Sequence, residues 1–137
     1  MSVRNPYQTY KHNAVQTASP GELTLMLYNG CLNFIKQARQ AIEEDNIQER
    51  NKYMQKAQDI IRELMVTLNT DYAVVKDMLR MYDYILRRLI EANINNDTAI
   101  LDEVETYVSQ FRDTWKEVLR LNRQKQYGGG VPHDGKL

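Results

Sequence analysis

The stretch Ser19-Pro20-Gly21-Glu22 marks the start of a helix, and the residues after it constrain what the rest of the chain must do. Ser19 is a favoured N-cap. Pro20 suits the first helical position, where its missing N–H would have no intrahelical partner, and Glu22 stands three residues after the cap, within reach of the cap's own N–H. At about 100° per residue, Leu23, Leu27, Tyr28, Cys31, Phe34, Ile35, Ala38, Ala41 and Ile42 fall in an arc of roughly 140°, which is a core face. Leu25 and Leu32 project about 180–200° from Leu23, and Met26 lies about 60° outside the arc. A helix with only one buried face carries polar residues at such positions, so this one predicts a second covering partner.

Three further stripes follow. Asn46 is a cap with Glu49 three residues on, and Ile47, Tyr53, Met54, Ala57, Ile60, Ile61, Leu64, Met65 and Leu68 share one face, with Val66 opposite. After the cap candidates Asn69-Thr70-Asp71, a third stripe runs through Tyr72, Val75, Met78, Leu79, Tyr82, Ile85, Leu86, Leu89 and Ile90, with Met81 and Tyr84 off it, and ends near Asn93. Asn95-Asn96-Asp97 reads as a turn and a new cap, and Ile100, Leu101, Val104, Tyr107, Val108, Phe111, Trp115, Val118 and Leu119 form the fourth stripe.

Helices of about 22 residues, hence about 33 Å long, joined by short loops leave little topological choice. The expected fold is all-α, an antiparallel up-down four-helix bundle over residues 19–122. An N-terminal arm, residues 1–18, precedes it, and a flexible tail, residues 123–137, follows with the run Gly128-Gly129-Gly130.

The composition excludes several function classes. Eighteen basic residues balance eighteen acidic ones, which argues against a partner held mainly through phosphate charge. On the third helix Arg80, Arg87 and Arg88 surround Tyr84, but Asp77, Asp83 and Glu91 interrupt them, so an ion-paired solvated face is expected rather than a nucleic-acid surface. The single Cys31 sits on the apolar arc and reads as a small core residue in a reducing compartment. The N-terminus has no apolar leader core, and no apolar run approaches a membrane span, so neither export of this chain nor membrane insertion is expected.

Chemistry is equally sparse. His12 and His133 are the only histidines and lie outside the helical stripes, so no metal centre of paired Glu-x-x-His motifs can form. Gly130 to Lys136 matches the first seven positions of a phosphate-binding loop, but Leu137 stands where a Ser or Thr is needed and no strand precedes it. No enzyme, cofactor or metal is expected. What stands out is the surplus apolar surface. Leu25, Met26, Leu32, Val66, Met81 and Tyr84, beside Leu23, are the candidate lining of a groove, and methionines suit surfaces that re-pack around a partner. In the arm, Tyr7 and Tyr10 after Pro6 share a face if a helical turn forms, and are candidates to lie on that groove.

An ordered set of motifs resembles the flagellar secretion chaperone family FliS. It comprises Asn5-Pro6-Tyr7 with Tyr10, Ser19-Pro20-Gly21-Glu22-Leu23 running into Met26-Leu27-Tyr28-Asn29-Gly30, and Arg62-Glu63-Leu64. Tyr82-Asp83-Tyr84, Arg87-Arg88-Leu89, Ala92-Asn93, Asn96-Asp97, Phe111-Arg112 and Trp115-Lys116 complete it. The resemblance implies a cytoplasmic chaperone that binds the disordered C-terminal segment of flagellin, prevents its premature polymerisation and delivers it to the flagellar type III export apparatus, where an export-gate component receives it. It further implies that the arm with Pro6, Tyr7 and Tyr10 lies over part of the groove when the client is absent. A free protein that is monomeric or weakly self-associating fits this picture. The alternative is a structural bundle that self-associates through the same apolar surface and has no client.

Overall fold

A computed structural model describes residues 18–68 and 73–127. The arm with Pro6, Tyr7, Tyr10 and His12, the connection at 69–72, and the glycine-rich tail with His133 lie outside the described residues. The described chain forms four helices: α1 Pro20–Glu43, α2 Ile47–Val66, α3 Ala73–Asn95 and α4 Thr98–Tyr127. Each helix packs on its sequence neighbours, and α4 closes the ring against α1.

All neighbours run antiparallel. Arg39, late in α1, pairs with Asp102 and Glu105, early in α4, while Gly21 meets Trp115 at the other end. Phe34 stacks on Tyr53 between α1 and α2, Arg50 donates to Asn96 between α2 and α3, and Tyr82 packs on Phe111 between α3 and α4. This is the up-down bundle that the periodicity predicts.

Local chemistry explains the helix boundaries. Ser19 Oγ accepts from the Glu22 N–H and the Glu22 carboxylate accepts from the Ser19 N–H, a complete capping box. At the far end of α1, Asp45 takes a left-handed φ of 55°, and the N–H groups of Asp45 and Asn46 turn back to the Ile42 and Ala41 carbonyls. Asn46, having closed α1, opens α2: its Oδ1 accepts from Glu49 N–H. The same economy recurs between α3 and α4. Asn96 has φ 56°, Asp97 N–H returns to the Ala92 carbonyl, and Asp97 Oδ1 accepts from Ala99 and Ile100.

The core runs the length of the ring. Cys31, Ile35 and Ala38 of α1 meet Met54, Ala57 and Ile61 of α2, Ile85 and Leu89 of α3, and Leu101 and Val104 of α4, all fully buried. Each large aliphatic among them contributes about 1.5–3 kcal/mol relative to exposure. Gln58, also buried, is the polar exception that an apolar stripe does not announce.

Several positions depart from the stripes. Ile47 is 60% exposed, because it occupies the first position of α2, ahead of the helix's buried residues. Ile90 is 37% exposed, one residue around from the buried Leu89. Leu32, expected on the outer side of α1, packs against the core, because α1 has a neighbour on each flank. α3 runs two residues past Asn93, to Asn95, and α4 continues to Tyr127, past the expected boundary at 122. Residues 120–125 are exposed yet helical, as expected for Arg, Leu, Gln and Lys, which extend a helix readily once it is nucleated.

Candidate functional site

Where α1 begins and α2 ends, the bundle opens into a cavity of about 620 Å³. Leu23, Met26 and Leu27 of α1, Ile60 and Leu64 of α2, Leu68 just beyond it, Met78 of α3 and Trp115 of α4 supply its apolar walls. Two glycines set how closely the flanking helices approach. A Cβ at Gly21 would stand 2.7 Å from Leu119 Cδ2, and one at Gly30 would stand 3.2 Å from Ile60 Cδ1. The first contact draws α1 onto α4 and the second draws it onto α2. Trp115 is fixed by its indole N–H, which donates to the Gly21 carbonyl at 2.8 Å.

The polar groups of the lining are few. Thr24 and Thr67 donate their hydroxyl protons to the Pro20 and Leu64 carbonyls of their own helices. Glu63 brings an exposed carboxylate to the rim. Tyr28 and Tyr82 also line the cavity, and their hydroxyls hydrogen-bond to each other with both rings packed on Phe111. Burial pushes both phenols above the usual tyrosine range, Tyr82 further, so both keep their protons at neutral pH. Such a lining holds bulky apolar groups and carries no nucleophile paired with a base. Cys31 is buried behind it, with a thiol pushed up to about 12 by desolvation, and is chemically inert at neutral pH.

The residues expected to form one groove occupy several places. Leu23 and Met26 line the cavity. Leu25 points away into a shallow cleft of about 350 Å³ against α4, beside Lys116, Leu119, Arg120 and Arg123. Leu32 is in the core packing, and Val66 stands 78% exposed at the end of α2. Tyr84 lies on the α3–α4 face, where its hydroxyl donates to Glu103 at 2.6 Å and its ring meets Tyr107 edge-on. Met81 is half-buried on α3, outside the cavity lining.

Conversely, Leu27, Ile60, Leu64, Met78 and Trp115 line the cavity although periodicity assigns them to core stripes. Their only distinguishing signal is position, since they cluster toward the ends of their helices on one side of the bundle. The basic cluster of α3 is ion-paired as expected: Arg80 with Asp77, Arg87 with Asp83, and Arg88 with Glu91 and Glu103. Among the described residues no group of His, Cys, Asp and Glu is placed to hold a metal ion, and no helix is long and apolar enough to cross a membrane.

Residues 3–122 match the family model described as flagellar protein FliS. The flagellar secretion chaperone FliS of Bacillus subtilis is 53% identical over 130 residues, covering 95% of this chain and 98% of that protein. The flagellar secretion chaperone FliS of Escherichia coli is 33% identical over 110 residues, covering 78% and 81% respectively. In three dimensions the bundle is similar to a crystal structure of a bacterial flagellar chaperone, with a TM-score of 0.69 at 19% identity over 83% of this chain and 94% of that one. Matched along almost its whole helical length by the family model and by a relative sharing half its residues, the chain belongs to the FliS family of flagellar secretion chaperones.

Proposed function

We propose that the cavity takes apolar side chains from the C-terminal segment of flagellin, holding that segment apart from other flagellin molecules in the cytoplasm until a component of the flagellar export gate receives it. The observation that carries this reading is an apolar cavity of about 620 Å³, open at one end of a bundle of the FliS family. A protein that shields a segment needs apolar surface that is not used up by its own core, and needs no reactive group. Leu23, Met26, Leu27, Met78 and Trp115 make the main contacts. Leu25, Val66, Met81 and Tyr84, on other faces, contribute peripheral contacts as the segment leaves the cavity, and Leu32 supports the wall from within. Pro6, Tyr7 and Tyr10 of the arm cover the cavity between clients, which lowers apparent affinity by the fraction of time it is covered.

Calorimetric titration with the C-terminal segment of flagellin from the same organism, run beside circular dichroism, tests this reading. One-to-one binding with helix gain and a negative heat-capacity change is the expected result for folding on binding. Absence of heat and of helix gain, together with a concentration-dependent dimer in equilibrium sedimentation, would favour the clientless self-associating bundle instead.

A further inference from the structure

Two phenols carry two protons, and a contact between them uses one. Tyr28 and Tyr82 are 3% and 1% exposed, their hydroxyls bond to each other, and neither hydroxyl has another hydrogen-bond partner among the described residues. Each phenol is both donor and acceptor. Whichever hydroxyl donates within the pair, the other keeps an O–H with nothing in the described protein to receive it, and both residues line the cavity. The apolar walls of Leu23, Met26, Leu27, Ile60, Leu64 and Met78 offer no strong acceptor. The other oxygens of the lining, the Thr24 and Thr67 hydroxyls and the exposed Glu63 carboxylate at the rim, could accept, but none of them is hydrogen-bonded to either phenol.

We infer that the Tyr28–Tyr82 pair is the polar anchor of the cavity, selecting segments that bring a neutral oxygen acceptor to its second proton. A ligand site with mainly apolar walls gains its specificity from a small number of fixed polar groups, and a buried donor left without an acceptor weakens a complex that otherwise fits. The acceptor is a backbone carbonyl or a side-chain amide oxygen carried beside apolar side chains. A carboxylate is disfavoured, since stripping its water costs more than one hydrogen bond returns. The anchor rests on the cavity being the client site, and deepens that reading by naming what the client must present.

The test titrates the wild-type protein and the Tyr28→Phe/Tyr82→Phe double variant with the flagellin C-terminal segment, and records the thermal unfolding of both. Removing both members of a hydrogen-bonded pair together leaves no orphaned group, so the double variant is expected to melt close to wild type. It is expected to bind roughly tenfold more weakly, within the 5- to 100-fold range of an unmet buried acceptor. Wild-type affinity in a folded double variant overturns the anchor and leaves the client reading standing, whereas no binding by the wild type overturns the client reading itself. Should the double variant fail to fold, wild-type protein carrying ¹³C at tyrosine Cζ supplies the answer. Addition of the segment shifts the Tyr28 and Tyr82 signals if the anchor is engaged, and unmoved signals overturn it.

Discussion

Trp115 and Gly21, 94 residues apart in the chain, are joined by a single hydrogen bond from the indole N–H to the helix carbonyl, 2.8 Å long. It ties the late part of α4 to the first turn of α1, at the wall of the cavity. Trp115→Phe keeps an apolar ring but loses the donor and part of the volume. Destabilisation of about 1–2 kcal/mol is expected, read from the urea midpoint at an unchanged slope. As the chain's one tryptophan, Trp115 also reports on the cavity, and its emission should shift to shorter wavelength when an apolar segment enters.

The two glycines of α1 should respond differently to alanine. At Gly21 the new methyl meets Leu119 Cδ2 at 2.7 Å, so the Leu119 side chain must leave its present packing against α1, costing about 1 kcal/mol. At Gly30 the contact with Ile60 Cδ1 is 3.2 Å and needs only a small adjustment, while mid-helix alanine gains up to about 1 kcal/mol over glycine. Thermal unfolding of the two variants should therefore place Gly21→Ala below wild type and Gly30→Ala near or above it.

Alkaline pH should destabilise the fold. Burial raises the Cys31 thiol from its ordinary value of 9.0 to about 12, and raises Tyr28 and Tyr82 in the same direction. As pH rises past about 9 for the thiol and about 10 for the phenols, the unfolded chain releases these protons while the folded chain still holds them, so the unfolded state binds fewer and stability falls as pH rises. The stability that the thiol contributes is full below about pH 9, its ordinary value, and is lost progressively towards pH 12. Urea titrations at pH 8 and pH 10.5 should show the drop, and Cys31→Ala should make it shallower. A thiol reagent should leave native Cys31 unlabelled at pH 8 and label it completely in denaturant.

Met26→Asp and Tyr84→Phe separate the cavity from the other faces. Met26 is partly exposed, so the aspartate is tolerated by the fold but sets a charge in the apolar wall, and affinity for the flagellin segment should fall more than tenfold. Tyr84→Phe removes only a hydrogen bond to Glu103 on the α3–α4 face, and affinity should stay within about threefold. Equal losses in the two variants would place the main contacts outside the cavity.

The amino-acid sequence alone determined the elements and their order. Caps at Ser19, Asn46 and Asp97 act through bonds to residues two or three positions away, so their chemistry is complete within a few letters of sequence. The four apolar stripes likewise follow from a period of 3.6, and short polar turns between them leave an antiparallel ring as the simple solution. The candidate site was legible only in part. The wheel of α1 marks Met26 as surplus, but it treats Leu25 and Leu32 alike, although one faces a cleft beside α4 and the other joins the core. It also reads Leu27, Leu64 and Trp115 as ordinary core, although they line an opening.

Tertiary structure decided these assignments, because periodicity reports that a side chain leaves water without reporting what it meets. A residue facing a packed neighbour and one facing a cavity share the same helical phase. They are told apart only by where the neighbouring helices lie, and close approaches such as Gly21 on Leu119, which join residues far apart in the chain, fix those positions.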